Sequence, residues 1–181
     1  MKRLLFVVLV LLLVSGCFVL PQENGLKQLQ EIETRYMKGG TLGPTLYDSI
    51  ETNLQNIELM KTELNALRPE ASAGVQEMID IRLQLLDFVK NHLESEKTRR
   101  RINLIEDWCR SDSALKLSLD NLSKAVEKGP AINTRLSDFK KNNPALYSQS
   151  NLSVEDFQKY YDSLKSTRDD MQKFYNETCT S

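Results

Sequence analysis

The sequence predicts an all-α protein: an antiparallel bundle of five or six helices, two or three of them long. Three observations lead there. Beyond residue 25, apolar residues recur at three- and four-residue steps, the spacing of one helix face. No segment alternates with period two over the length of a strand. Glycine–proline pairs and capping residues fall between the apolar stripes, where helices stop and start.

Taken in order, Leu26, Leu29, Ile32 and Tyr36 give the first stripe, and Gly39-Gly40 ends it. Gly43-Pro44 opens the second helix, since proline is tolerated in a first helical turn. Its seam is the most regular in the chain: Leu46, Ile50, Leu54, Ile57, Met60, Leu64 and Leu67, with Glu51, Gln55, Glu58 and Lys61 at other positions. Such a narrow seam suits a bundle. Arg68-Pro69 breaks it, because a residue before proline is pushed out of the helical region.

A third helix is expected from about Glu70, with Val75, Ile79, Leu83, Leu86, Val89 and Leu93 as its stripe. Residues 94–101 hold no apolar side chain and no breaker, and Ile102, Leu104, Ile105 and Trp108 follow. One helix from 70 to 109 would be about 60 Å long; a bend inside it is the alternative. Ser111-Asp112 is read as a cap for a fourth helix carrying Leu115, Leu119, Leu122 and Val126, broken by Gly129-Pro130. A short helix with Ile132, Leu136 and Phe139 ends at Asn142-Asn143-Pro144, and Ala145 to Asn151 reads as a polar loop. Ser153 to Asp156 has the form of a capping box, with Asp in place of Glu or Gln. The last helix runs to about Glu177, with Phe157, Tyr161, Leu164, Met171 and Phe174 or Tyr175 inward and Tyr160 outward.

The N-terminus carries a different signal. Lys2 and Arg3 precede an unbroken apolar run, Leu4 to Val14, of signal-peptide length, and Val14-Ser15-Gly16-Cys17 follows. This stretch resembles the lipobox of prokaryotic membrane lipoproteins, with Val14 where Leu is commoner. The resemblance covers Lys2 to Cys17. It implies a signal peptide over 1–16, cleavage before Cys17, and a lipid on Cys17 as the new N-terminus. Residues 17–25 are then a tether, and 26–181 a single helical-bundle domain. Two or more acyl chains, at about 0.8 kcal/mol per buried CH₂, hold a protein to a bilayer stably. Two readings compete: an uncleaved span over Leu4–Leu20, at the short limit for crossing a bilayer, and an ordinary secretory signal. All three place the rest of the chain outside the cytoplasm.

Without Lys2 and Arg3 the chain keeps 22 basic and 25 acidic residues, a net charge of −3. That is no footprint for nucleic acid, which wants a strongly basic surface. In an oxidising compartment, Cys109 and Cys179 suggest a disulfide, worth about 4 kcal/mol by loop entropy. The two cysteines are far apart in the chain, and with one histidine, His92, the usual four-ligand zinc spacing is absent. No cofactor is expected. A helical carboxylate–metal site wants Glu three residues before His, and Val89 stands there. No nucleophile elbow, P-loop or dinucleotide fingerprint occurs. The pairs Glu106-Asp107, Glu155-Asp156 and Asp169-Asp170 split across helix faces and read as solvated surface. Asn121, Asn151 and Asn176 match the glycosylation acceptor pattern about as often as chance allows.

Two features remain. Lys97, Arg99, Arg100 and Arg101 are the one local charge cluster, a solvated face or a contact for anionic headgroups, an acidic polymer or a protein. Trp108 beside Cys109, with the aromatics of the last helix, is core packing or a pocket. The expected function is a non-enzymatic, lipid-anchored envelope protein that binds or scaffolds a partner. The alternative is a small-molecule-binding or sensory bundle with its ligand near Trp108.

Overall fold

The computed structural model describes residues 24–37, 49–100, 108–110 and 112–179. Among these it is an all-α bundle of six helices with no strand: α1 (Leu26–Tyr36), α2 (Ile50–Leu67), α3 (Ala73–Arg99), α4 (Ala114–Asn142), α5 (Pro144–Gln149) and α6 (Val154–Cys179). A 3₁₀ turn, Arg68–Glu70, follows α2. Cys17, Arg101 and most of the tether lie outside the described residues.

The longest elements are α3, α4 and α6, and α3 is the spine. It buries Val75, Met78, Ile79, Ile81, Leu85, Leu86, Phe88, Val89 and Leu93. Helix α4 runs antiparallel along it. Near one end Ser118 Oγ donates to the Ser95 carbonyl at 3.0 Å and meets the Ser95 hydroxyl at 2.8 Å, both fully buried. Small side chains at this level let the two backbones approach, and their hydroxyls satisfy each other rather than remaining orphaned. Toward the other end Arg135 reaches Asp80 at 3.3 Å. Helix α2 packs antiparallel on the other flank, laced by Lys90–Glu58 and Lys61–Asp87 at 2.7 Å and Arg68–Asp80 at 2.6 Å.

Several boundaries differ from expectation. Helix α2 begins at Ile50 because Ser49 is extended and caps it, accepting from Thr52 N at 3.1 Å. Pro44 and Leu46 lie outside the described residues. Helix α3 ends at Arg99, and Trp108 to Arg110 form a turn, while residues 101–107 are not among those described. The cap of α4 is Ser113, two residues after the expected Ser111. Asn24 and Gly25 are already part of the bundle. Asn24 O accepts from Ser72 N at 3.2 Å, and Gly25, at φ +90°, lies so close to Ala71 that a Cβ would stand 3.0 Å from Ala71 Cβ.

Gly129-Pro130 does not break the chain: α4 continues straight through it. Proline inside a helix costs about 3 kcal/mol. The loss is offset because Val126, Ile132, Leu136 and Phe139, on both sides of it, are buried at about 1.5–3 kcal/mol each. Gly129 has its own task. A Cβ there would sit 2.1 Å from the Tyr161 ring, so glycine lets α6 press an aromatic ring onto the α4 backbone. The expected polar loop after Asn143 is instead the short helix α5. Pro144 starts it, buried Leu146 packs over Gly74, and the Tyr147 hydroxyl accepts from Val154 N at 3.0 Å. Ser153 caps α6 by accepting from Asp156 N at 3.1 Å.

A charge lies in the core. Arg82 is fully buried on α3, and Glu33 of α1 is 3% exposed. Arg82 Nε donates to Glu33 Oε1 at 2.6 Å. Its Nη2 is 2.5 Å from the same oxygen but makes no hydrogen bond, and neither does Nη1. Asn151 Nδ2 donates to Glu33 Oε2 at 3.3 Å.

Two outcomes follow. Gly129→Ala, which in an open helix would stabilise by about 1 kcal/mol, will instead destabilise by about 1–3 kcal/mol through the clash with Tyr161; urea unfolding measures the sign. Arg82→Met will cost about 3–5 kcal/mol by stranding a buried carboxylate. The Arg82→Met/Glu33→Met pair will lose less than the single variant in the same assay.

Candidate functional site

Of the sequence-predicted site residues, those described, Lys97, Arg99, Arg100, Cys109 and Cys179, gather at one end of the bundle. Lys97 and Arg99 stand in the last turn of α3, and Arg100 caps it. Basic side chains there complement the negative end of the helix dipole. Arg99 is also tied to Glu96 at 2.6 Å, while Arg100 is exposed with no ionic partner among the described residues. Lys97 and Arg99 are therefore explained by local structure, and among the described residues of the cluster Arg100 is the cation left open.

Above this turn Cys109 and Cys179 are bonded, with Cα atoms 5.0 Å apart and 70 residues between them in sequence. The disulfide joins the turn before α4 to the last residue of α6. Trp108 stands edge-on to Phe174, ring centres 5.0 Å apart. The Trp108 carbonyl accepts from Ser113 Oγ at 2.7 Å, which binds this turn to the cap of α4. Trp108 Nε1 is buried without a hydrogen-bond partner. Phe174 remains 39% exposed, and Leu117, one turn into α4, is 47% exposed. The Trp108–Phe174 pair stands beside a disulfide that stays exposed at Cys109, and Phe174 and Leu117 leave apolar surface at this end.

Tyr160, expected to face outward, faces in. Its ring packs edge-on against Phe88 at 5.7 Å and His92 at 5.6 Å, and its hydroxyl is hydrogen-bonded to His92 Nδ1. His92 Nε2 lies 3.9 Å from Glu96 Oε1. A neutral ring with its proton on Nε2 fits both neighbours: Nδ1 accepts from the phenol and N–H points toward the carboxylate. Burial pushes the His92 pKa down, with Glu96 opposing and Arg99 assisting. Burial, with Glu96 adding to it, pushes the Tyr160 phenol far above its ordinary range. Phe88 and Phe157, in edge contact at 5.2 Å, close the other side. The couple is a polar clasp between α3 and α6, set within aromatic walls.

The sequence reading passed over Arg82 and Glu33 as well. Arg82 lies between Ile81 and Leu83, on the Met78–Leu85–Val89 face of α3, so a basic residue inside an apolar stripe was the available signal.

An open groove of about 380 Å³ lies between α3 and α4, lined by Gln84, Asp87, Lys128, Ala131, Ile132 and Arg135. It is midway along the bundle, away from Trp108. Asp87 is engaged by Lys61 and Arg135 by Asp80, which leaves Lys128 as the groove charge with no ionic partner among the described residues. Among the described residues no group of three His, Cys, Asp or Glu side chains is placed to hold a metal ion. Nor is any described helix long and apolar enough to cross a membrane.

No protein-family model, curated protein or solved structure matches this chain. What the site offers is therefore read from its own geometry: a disulfide-bonded end with a Trp108–Phe174 ring pair and exposed Arg100, Phe174 and Leu117.

The His92 clasp has a pH signature. Above about pH 6.5, the ordinary imidazole value, folded and unfolded chains both hold a neutral ring. Below it the unfolded chain takes up a proton that the folded one resists, so stability falls on acidification. Urea unfolding between about pH 7.5 and about pH 5.5 will show this loss, and His92→Gln will flatten it.

Proposed function

We propose that this protein is a lipid-anchored, non-enzymatic helical bundle on the outer face of a membrane, serving to hold or scaffold an envelope partner. The observation that carries the reading is the Lys2–Cys17 signal joined to a disulfide-bonded bundle. A cysteine bridge is at home outside the cytoplasm, where that signal would deliver the chain. The described side chains favour binding over chemistry. The one histidine is enclosed by aromatic rings and clasped to a tyrosine, and the paired acids Glu155-Asp156 and Asp169-Asp170 lie exposed on α6. The membrane is the first partner, through Cys17; the second is a protein met by the exposed end of the bundle. No nucleic acid is involved.

The test is the intact mass of the protein taken from its native membrane. A chain beginning at Cys17 with added acyl mass, gaining about two daltons on reduction as one disulfide opens, is the expected result. An uncut chain, or a cut chain without lipid, overturns the anchor.

A further inference from the structure

The two ends of the bundle differ, and the tether joins only one of them. Asn24, the first described residue, bonds to Ser72 N and the Glu70 carbonyl, at the N-terminal end of α3. Helix α5 shares that end, with Leu146 over Gly74 and Asn143 bonded to Glu77 at 3.2 Å. This is the base. Helix α3, with 27 residues, rises about 40 Å from it to Arg99. Helix α6 meets α3 at Phe88 and His92 through Phe157 and Tyr160, then continues 19 residues to Cys179, about 28 Å further. Trp108, Cys109 and the arginines therefore stand at the opposite end from the tether.

Seven Cα steps separate Cys17 from Asn24, a reach of at most about 25 Å. That is too short for the far end to touch the bilayer unless the bundle lies on its side. Lying flat needs a basic or apolar flank. On the flank of α2 and α3 the described residues provide neither. Cations and carboxylates along α2 and α3 are matched as Lys61–Asp87, Lys90–Glu58 and Arg68–Asp80, and the chain beyond the signal is net acidic. Of the three exposed large apolar side chains among the described residues, Leu117 and Phe174 are at the far end, and Leu59 stands alone. The base is largely uncharged: exposed Ala73, Asn142, Pro144, Ala145 and Ser148 carry no charge, Glu70 is the exposed acid beside them, and of the lysines close above, Lys140 is paired with Glu155 while Lys141 is exposed.

We infer that the bundle stands upright on the membrane, base inward, with Arg99, Arg100, Trp108 and Phe174 held about 40 Å or more beyond the base, out of reach of the headgroups. The inference rests on the anchor proposed above and refines it. The arginines face what lies beyond the membrane rather than lipid.

Trp108 is the chain's single tryptophan, so the protein carries its own probe. The full chain, matured in a lipid-attaching bacterial host, is reconstituted into phosphatidylglycerol–phosphatidylethanolamine vesicles bearing dansyl headgroups. Energy transfer from Trp108 is then compared with transfer from the W108F/A145W variant, whose indole is at the base. With about 40 Å between the two positions, the base variant will transfer at least about fivefold more. The W108F/S148W variant serves if the first does not fold. Equal transfer from both ends, in protein that floats with the vesicles, overturns the upright stance alone. Protein that does not float overturns the anchor, and the stance with it.

Discussion

The arrangement depends on a charge withdrawn from water. Arg82 sits on the inward face of α3 with none of its side chain exposed, and an uncompensated guanidinium there would cost more than any single apolar contact repays. Glu33 is the compensation, and supplying it fixes more than one pair. It sets the rotation of α1, whose short length offers only Leu26, Leu29 and Ile32 as further burial. Its second oxygen holds Asn151, and thereby the strap between α5 and α6. A greasy replacement would pack as well, but it would not tell α1 which turn to dock on. That the pair specifies register more than it adds stability is consistent with the two Arg82 nitrogens left without hydrogen bonds.

Seams written in leucine and isoleucine were plain to read. The α1 and α2 stripes, the stop at Arg68-Pro69 and the Ser153 cap follow from local sequence, because each is decided within one or two helical turns. What stayed hidden is decided by neighbours distant in the chain. Gly129-Pro130 looks like punctuation until Tyr161 is seen lying on it, and the burial on both sides exceeds the backbone penalty. Residues 144–149 look like loop because only Leu146 is buried, and a single anchor leaves no periodicity. Tyr160 and Tyr161 are adjacent, and both turn inward because α6 packs against α3 on one side and α4 on the other. A two-sided helix defeats a one-stripe reading. Of the candidate site, the cysteines and basic residues were visible as types; their gathering at one end required the antiparallel order of α3, α4 and α6.

On the reading proposed above, function is a matter of reach and presentation. The described polar groups inside the bundle are spent on joining helices: Ser95 with Ser118, His92 with Tyr160, Arg82 with Glu33. Those outside are largely paired across α2 and α3. Among the described residues, exposed groups such as Arg100, Lys128, Phe174, Leu117 and Leu59 are dispersed over a rim, a groove and a flank rather than converged on a point. Convergence is what chemistry needs; a rim of unmatched groups is what association uses.

The Cys109–Cys179 bond also has a mechanical meaning. It closes α4, α5 and α6 into one covalent ring. A pull applied to the two ends of the chain runs through the earlier helices, crosses the bridge between the sulfurs and bypasses the ring. Some 70 residues, about 240 Å of extended chain, are shielded from that load. A cut anywhere within the ring leaves both fragments attached. The segment from Cys109 to Cys179 is thus the part of the chain that neither tension nor a single protease cut can carry away.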